Sequence, residues 1–228
     1  MQPKYLSFTN SKSNKSIAYG YLDFIMYLAP NTISGYNMCS SASPECIKVC
    51  IFDAGYGRFE NVQKSRIGKT IEYIEDRPEF LERLNKDVIK CIKYSEKRKL
   101  KPCFRLDGTS DAFIARHFLK EFPDIQWYDY TKVYSRLKKS KAYKNYHLTF
   151  SFSGRNKREC LKALNSGFNV AVSFKNELPA SLWGYPTLDG DKHDLRFLDP
   201  IGHVIGLTPK GIAAKKIANS TSNAFFVG

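Results

Sequence analysis

The most constraining feature of this chain is a repeated alternation of short apolar segments with polar segments and predicted helices. Each apolar segment has the length of a buried strand, and polar residues follow it before the next helix begins. Such alternation is typical of α/β proteins in which helices cover a parallel sheet. It predicts a full or partial (β/α) barrel of mostly parallel strands, with an open doubly wound sheet as the alternative. The predicted strands of this region are CFRL, IQWYDY, HLTFSF, NVAVSF and a final pair around RFLD and HVIGL.

The rest of the chain supports a single domain. Residues 1–16 are polar and are interpreted as a loose lead-in, and residues 17–228 form one domain without an internal linker. The first strand is predicted within residues 17–28, which are rich in aromatic and β-branched side chains. Asp76 is expected to cap a long helix that has Pro78 in its first turn. Helices are predicted over residues 59–73, from the Asp76 cap to about 99, near 111–121, up to about 165 and over 212–218.

Charge and hydropathy limit the classes of protein. The 228 residues carry 36 Lys and Arg against 22 Asp and Glu, a formal net charge of +14, which favours polyanionic partners or only maintains solubility. No apolar run reaches the length of about 18 residues that a membrane-spanning helix needs. The N-terminal stretch lacks the apolar core of a signal peptide, so we expect the protein to stay in a reducing cytoplasm.

Polar side chains follow the predicted strands. The carboxyl ends of parallel strands meet at one rim, and binding sites of α/β proteins lie there. Solvated loops also have this composition, so the pattern alone does not prove a site. The candidates for binding a substrate or cofactor at this rim are Arg105, Asp107, Ser110, Asp111, Tyr130, Lys132, Asp191 and Asp194.

Three of the six cysteines fall close together in a segment that follows the first predicted strand. Residues 30–57 are rich in Pro, Gly, Asn and Ser, which predicts a long loop, and this loop contains Cys39, Cys46 and Cys50. Thiolates are soft ligands that suit iron–sulfur clusters and zinc. A cubane 4Fe–4S cluster held by three cysteines leaves one iron open for a small molecule. The sequence therefore predicts an iron–sulfur site at these three residues.

Two alternatives to a cluster remain open at this stage. A structural zinc ion needs four ligands, so a zinc site would have to recruit a distant residue such as Cys103 or His193. The three cysteines could also be small buried hydrophobic residues that bind no metal. The other cysteines, Cys91, Cys103 and Cys160, are expected in the core.

A basic segment offers a second kind of site. Residues 132–146 interleave Lys and Arg with three tyrosines, a combination that single-strand binders use to contact phosphates and stack on bases. A solvated basic loop has the same composition. The candidate nucleic-acid contacts are Arg136, Lys138, Lys139 and Lys141.

Several longer motifs carry a resemblance to a known family. The first is LAPNTISGYNMCSSASPECIKVCIFDAGYGRFENVQKSRIGKT, and the later ones are RLDGTSD, WYDYTK, YHLTFSFSG, NVAVSF, DGDKHDLRFLDP and GLTPKG. Together they extend from about residue 28 to residue 211 and resemble the bacteriophage gene product 88 family. The resemblance implies a phage-encoded protein of the host cytoplasm. It implies no particular activity.

A weaker likeness connects the cysteines with phage proteins of the radical S-adenosylmethionine type. In those proteins three cysteines after the first barrel strand hold a 4Fe–4S cluster, which implies S-adenosylmethionine as a second cofactor. Their usual spacing is Cys-x3-Cys-x2-Cys with an aromatic residue before the last cysteine. Here the spacing is x6 and x3, Val49 precedes Cys50, and the glycine-glycine-glutamate motif is absent.

Two hypotheses of function follow from these observations. The first is an iron–sulfur enzyme, radical-S-adenosylmethionine-like or of another open-iron kind, that acts on a small molecule or nucleotide at the mouth of a barrel. The second is a basic nucleic-acid-binding phage protein with a structural metal site. The sequence contains no motif of a P-loop ATPase, an α/β-hydrolase or a zincin protease.

Overall fold

The computed structural model describes residues 3–8, 11–219 and 224–228. Residues 1, 2, 9 and 10 of the predicted lead-in lie outside the described residues. The helices are α1 (Ser11–Ile17), α2 (Pro44–Lys48), α3 (Glu60–Glu75), α4 (Arg77–Lys97), α5 (Tyr134–Ser140), α6 (Lys157–Asn165) and α7 (Gly211–Ala218). The strands are β1 (Leu6–Ser7), β2 (Tyr21–Met26), β3 (Lys101–Arg105), β4 (Gln126–Thr131), β5 (Tyr146–Ser151), β6 (Val170–Phe174), β7 (Ser181–Leu182), β8 (Tyr185–Asp189), β9 (Val204–Leu207) and β10 (Phe226–Val227). Short 3-10 helices cover Ile51–Asp53, Gly55–Arg58, Ile114–His117 and Arg196–Leu198.

A mostly parallel sheet organises the described part of the chain. Its strand order is β1-β2-β3-β4-β5-β6-β9-β8-β7, with β10 paired to β6. The β1–β2 and β7–β8 pairs are antiparallel, and the pairs between them are parallel. The α/β class and the mostly parallel sheet are therefore confirmed. Barrel closure is not, because the order ends in two unpaired edges.

Helices α4, α5 and α6 pack on one face of this sheet. Phe80, Leu84 and Val88 recur one helical turn apart on α4, are fully buried, and share the main hydrophobic core with Phe24 of β2 and Phe104 of β3. The same core includes side chains of α5 and α6. Because the strands from β2 to β6 follow one another in chain order, right-handed crossovers place their connecting helices on the same side.

The opposite face of the sheet is polar at its centre. Alternate residues of the strands point there, and Asp23 and Tyr128 are fully buried. Segment 190–199 covers this face: the Phe197 ring lies 5.1 Å from Tyr21 of β2 and 5.7 Å from Tyr128 of β4. A segment that follows β8 thus contacts β2 and β4, and its side chains cover this face of the sheet.

Most long elements occur where the sequence predicts them. The strands β3, β4, β5, β6 and β9 and the helices α3 and α4 match their predicted segments. Asp76 occupies the N-cap of α4, although its side chain makes no capping hydrogen bond. Cys91, Cys103 and Cys160 are fully buried, as expected.

The helix predicted near 111–121 is wrong. The chain forms only the 3-10 helix Ile114–His117 there. The Asp107 carboxylate accepts hydrogen bonds from the backbone amides of Ala112 (3.0 Å) and Phe113 (2.8 Å), and Phe113 has a left-handed φ of 59°. These bonds fold the segment back on the end of β3 and prevent an α-helix from starting at residue 111.

The strand predicted at RFLD is also wrong, because this segment is the 3-10 helix Arg196–Leu198. Arg196 Nε lies 3.2 Å from the Asp199 carboxylate three residues later. Residues three apart share a face in a 3-10 turn but point to opposite faces of a strand. A further difference is the strand β8, which has no counterpart among the predicted strands.

Other segments differ in detail from their predictions. Within the predicted lead-in, Tyr5 and Leu6 are buried and Leu6 pairs with Met26 of β2. The predicted loop 30–57 contains α2 and most of the two 3-10 helices before α3. None of the helices in the described ranges is long and apolar enough to cross a membrane.

Candidate functional site

A cavity of about 1450 Å³ opens at the carboxyl ends of the parallel strands. It exceeds the range of about 300–1,000 Å³ that is common for small-ligand pockets. Its walls come from the ends of six neighbouring parallel strands, from α3, from segment 39–59 and from the chain terminus. The strand-end residues on its walls include Tyr27, Arg105, Lys132, Ser151, Ser173 and Leu207.

The structure brings the rim candidates and the three clustered cysteines to this one cavity. Each of these residues lines its wall: Cys39, Cys46, Cys50, Arg105, Asp107, Ser110, Asp111, Tyr130, Lys132, Asp191 and Asp194. The basic candidates of α5 do not line it.

Hydrogen bonds attach the cysteine-bearing segment to the strand ends. Ser43 caps α2 by accepting from the Cys46 amide at 3.1 Å, and its hydroxyl donates to the Ser153 carbonyl at 2.6 Å. The Cys39 thiol lies 3.8 Å from the Thr109 carbonyl, and the Asp111 amide donates to the Met38 carbonyl at 2.9 Å. These contacts fix Cys39 and Cys46 on separate turns of the chain beside the strand ends.

The thiols are partly buried and face a cation. Burial raises the pKa of the Cys39 thiol to about 11, and burial also raises the pKa of Cys50. The Lys132 ammonium interacts with Cys46 and Cys39; although burial opposes its charge, Cys46 and Asp111 raise its pKa overall. A cation in this position favours the thiolate forms that metals bind.

In the described ranges, no group of three or more His, Cys, Asp or Glu side chains is arranged to hold a metal ion. Cys39, Cys46 and Cys50 nevertheless remain within electrostatic range of one another: Cys50 affects the pKa of Cys39, and Cys46 affects that of Cys50. A cubane cluster is larger than a single ion and takes each cysteine on a different iron, so its ligands share a cavity wall and not one coordination sphere.

The loop after β3 is built by two carboxylates. Asp107 accepts from the Ser110 hydroxyl at 2.7 Å as well as from the two amides described above. Asp111 accepts from the Thr131 hydroxyl and from the Lys132 amide, both at 2.8 Å. Arg136 pairs with both carboxylates. Asp107, Ser110 and Asp111 therefore shape the wall of the cavity, and most of their polar atoms are already used.

An ion pair lies at the floor of the cavity. Arg105 Nη1 is 3.1 Å from the Asp194 carboxylate, and its guanidinium lies 4.5 Å from the ring centroid of Tyr130. Asp194 is 1% exposed, so this ion pair is shielded from water and each charge compensates the other. Below them Asp23 accepts a hydrogen bond of 2.9 Å from the Tyr128 hydroxyl.

Asp191 occupies the side of the cavity formed by β9. Its carboxylate accepts from the Thr208 hydroxyl and lies 2.6 Å from Lys210 Nζ. Burial opposes this charge, but Lys210 and Thr208 lower the pKa of Asp191 overall. Lys15 of α1 donates to the Asp191 carbonyl at 2.8 Å, which connects the first helix to this wall.

Two cations of α3, which the rim pattern does not identify, also line the cavity. Arg66 is buried with Thr70 and Tyr73 on the inner face of this helix, and Lys69 is half-buried beside them. Burial lowers the pKa of Lys69 to about 8, with Arg66 adding to the effect. The signal in the sequence is the spacing of Arg66, Thr70 and Tyr73, which places a charged residue on the buried helix face.

The chain terminus closes the cavity on one side. β10 pairs with the end of β6, beyond the last residue pair between β5 and β6. Phe226 packs with Val49, Ala214 and Ala218 in a small hydrophobic cluster apart from the main core. The cysteine-bearing segment, α7 and the terminus therefore form one apolar unit over the cavity.

The basic segment is helical, and much of it faces inward. Arg136 is 7% exposed and Tyr146 is 5% exposed, because both contribute to the network around Asp107 and Asp129. Lys138 and Lys139 of α5 are exposed. Lys141 is exposed too and lies 5.1 Å from the ring of Phe168. In this segment Arg136 and Tyr146 are thus buried, whereas Lys138, Lys139 and Lys141 are exposed.

Comparisons with known proteins give a family. A search of curated proteins and a search of solved structures each found no match to the chain. The likeness to radical S-adenosylmethionine proteins finds no support in these comparisons. The family model described as Gene product 88 matches residues 4–224, which is nearly the whole chain. The chain therefore belongs to the gene product 88 family of bacteriophage proteins.

Proposed function

We propose that this protein binds a 4Fe–4S cluster through Cys39, Cys46 and Cys50 and acts on a small molecule in the adjoining cavity. The observation that carries the proposal is that all three cysteines line one cavity at the carboxyl ends of the parallel strands. A strand-end cavity is where enzymes of this architecture place their chemistry.

The charge around the thiols supports this assignment. Cluster ligands must be thiolates, and burial of Cys39 and Cys50 favours the neutral thiols. The Lys132 ammonium beside Cys46 partly offsets that cost. Cluster binding would replace the protons of the three thiols with iron. Because burial raises the pKa of Cys39 and Cys50, we expect cluster loading to increase with pH rather than to be prevented.

The residues around the cluster would hold and orient a ligand. A cubane with three cysteine ligands supplies one iron with an open position for a small molecule. The Arg105–Asp194 pair and the Tyr130 ring form a rigid polar floor in the same cavity. We also propose that the sheet forms a partial barrel around this cavity.

The test is iron and sulfide analysis of protein reconstituted without oxygen. Wild type should bind about four irons and four sulfides per chain, with broad visible absorption. Cys39→Ala, Cys46→Ala and Cys50→Ala should each lose most of the iron and the colour. Cys91→Ala is the matched control, because Cys91 is buried in α4 away from the cavity and should leave loading unchanged.

Two results would overturn the proposal. Colourless wild-type protein after reconstitution would exclude a cluster, and stoichiometric zinc in its place would assign the thiols to a structural metal. Unchanged iron in all three cavity variants would show that the iron binds elsewhere. Circular dichroism of each variant separates a lost ligand from a lost fold.

A further inference from the structure

The α3 wall of the cavity carries two cations, Arg66 and Lys69, and neither forms a salt bridge with the residues that the structure describes. Lys69 lines the cavity, is half-buried, and has no hydrogen-bond or ion-pair partner among the residues that the structure describes. The charged group that acts on it is Arg66, one helical turn earlier, and this interaction is repulsive. A lysine that is partly removed from water without a counter-ion lowers stability, and a bound anion would remove that penalty.

Arg66 stands beside it with a fixed guanidinium. One nitrogen, Nη1, donates to the Phe52 carbonyl at 3.1 Å. The guanidinium carbon lies 4.8 Å from the ring centroid of Tyr27 and 5.4 Å from that of Phe52. The aromatic rings hold the plane of the group, so its remaining nitrogens are oriented before any ligand arrives.

Three other cations of the cavity are already engaged. Arg105 is paired with Asp194 and Lys210 with Asp191. Lys132 interacts with Cys46 and Asp111. Of the cavity cations that form no salt bridge with the described residues, Lys15 and Arg58 are exposed to water, whereas Arg66 and Lys69 of α3 are buried and half-buried.

We propose that Lys69 and Arg66 form an oxyanion-binding subsite, which holds a phosphate or carboxylate group of a ligand in the cavity. Lys69 supplies a mobile ammonium and Arg66 a planar donor, the two kinds of group that proteins use for such anions. The subsite does not depend on a metal cluster, because its residues and its charge belong to the cavity itself.

The experiment measures binding of inorganic phosphate and, separately, of acetate to protein without a metal cluster. Ionic strength is held constant with sodium chloride, and affinity is taken from the concentration dependence of the melting temperature. Wild type should be stabilised by at least one of the two anions. The anion that stabilises it more identifies the group that the subsite prefers.

Variants of α3 give the decisive comparison. Lys69→Met should weaken anion binding by roughly ten-fold or more, the value expected for losing one charged hydrogen bond. Lys69→Arg keeps the charge and should retain most of the affinity. Lys64→Met is the matched control, because Lys64 lies on the same helix, is exposed and pairs with Glu60.

The proposal fails if neither anion stabilises wild type, or if Lys69→Met binds as tightly as Lys64→Met. If Lys69→Met does not fold, Lys69→Gln takes its place and the same comparison decides. Failure of the cluster proposal would leave these outcomes unchanged, since the binding assay uses protein without iron.

Discussion

Asp23 should make the protein lose stability as pH rises, and Asp23→Asn should remove that loss. Asp23 is fully buried on β2, accepts from the Tyr128 hydroxyl at 2.9 Å and lies 3.7 Å from the Cys103 sulfur. Burial and, after it, the Asp194 charge raise its pKa from 3.8 to about 7, although Tyr128 and Arg105 act in the opposite direction.

The size of the effect follows from linkage between protonation and folding. Between about pH 4 and 7 the folded protein keeps a proton on Asp23 that the unfolded chain has lost, so stability falls as pH rises. About three pKa units at roughly 1.4 kcal/mol each correspond to about 4 kcal/mol. Asparagine resembles the protonated carboxyl group, so the variant should gain nothing near pH 4 and about 4 kcal/mol relative to wild type near pH 8.

Urea unfolding at about pH 4 and about pH 8 measures this difference. Asp124→Asn serves as the control, because Asp124 is exposed and its replacement should shift both conditions equally. Parallel pH dependences of wild type and Asp23→Asn would refute the reasoning, since they would mean that Asp23 is ionised in the folded protein throughout this range.

Two further substitutions test the walls of the cavity by urea unfolding. Arg136→Met should lower the free energy of unfolding by about 3–5 kcal/mol, because it leaves the carboxylates of Asp107 and Asp111 without their cation. Lys138→Met on the exposed side of α5 should change it by no more than about 0.5 kcal/mol. Equal unfolding midpoints for the two variants would contradict this reasoning. Gly57→Ala should cost about 1–3 kcal/mol because an added Cβ would overlap the Phe52 carbonyl oxygen, and an unchanged midpoint would contradict the close approach of these two backbone segments.

The sheet could be predicted from the sequence because its strands are buried on both faces. Such strands appear as short apolar runs, and their regular separation by helices specifies parallel pairing. The strand β8 lacks this signature, since Tyr185, Pro186 and Thr187 are only partly buried or exposed. It is a strand because β9 offers it a parallel partner, which is a tertiary interaction that local composition does not report.

The failures near 111–121 and at RFLD have one physical cause. In both segments a charged side chain sets the local conformation. Asp107 accepts hydrogen bonds from two backbone amides, and Arg196 pairs with Asp199 three residues later. Helical and strand propensities describe solvated or uniformly packed backbone, and a buried charged side chain outweighs them.

The sequence predicts the residues at the strand ends of the site, but it does not predict those that α3 contributes. Residues that follow parallel strands must meet at one edge, so strand order alone brings Arg105, Lys132 and Asp191 to the same cavity. Arg66 and Lys69 reach it only because α3 packs with that face inward. This orientation depends on the Phe52 and Tyr27 contacts of Arg66, which join residues far apart in the chain.

The polar face of the sheet carries ionisable groups that lower the stability of the protein. Asp23, Arg105 and Asp194 are buried together, and Arg136 with its two carboxylates forms a second buried ionic group. Apolar side chains of similar volume would often be at least as stabilising in such positions, as they are on the helix-covered face of the same strands. Ionisable groups concentrated in a cavity are typical of a functional site. Replacing Arg105 and Asp194 together with Met and Leu should therefore preserve or raise the free energy of unfolding while abolishing the function of the cavity, whereas Arg105→Met alone should destabilise the fold.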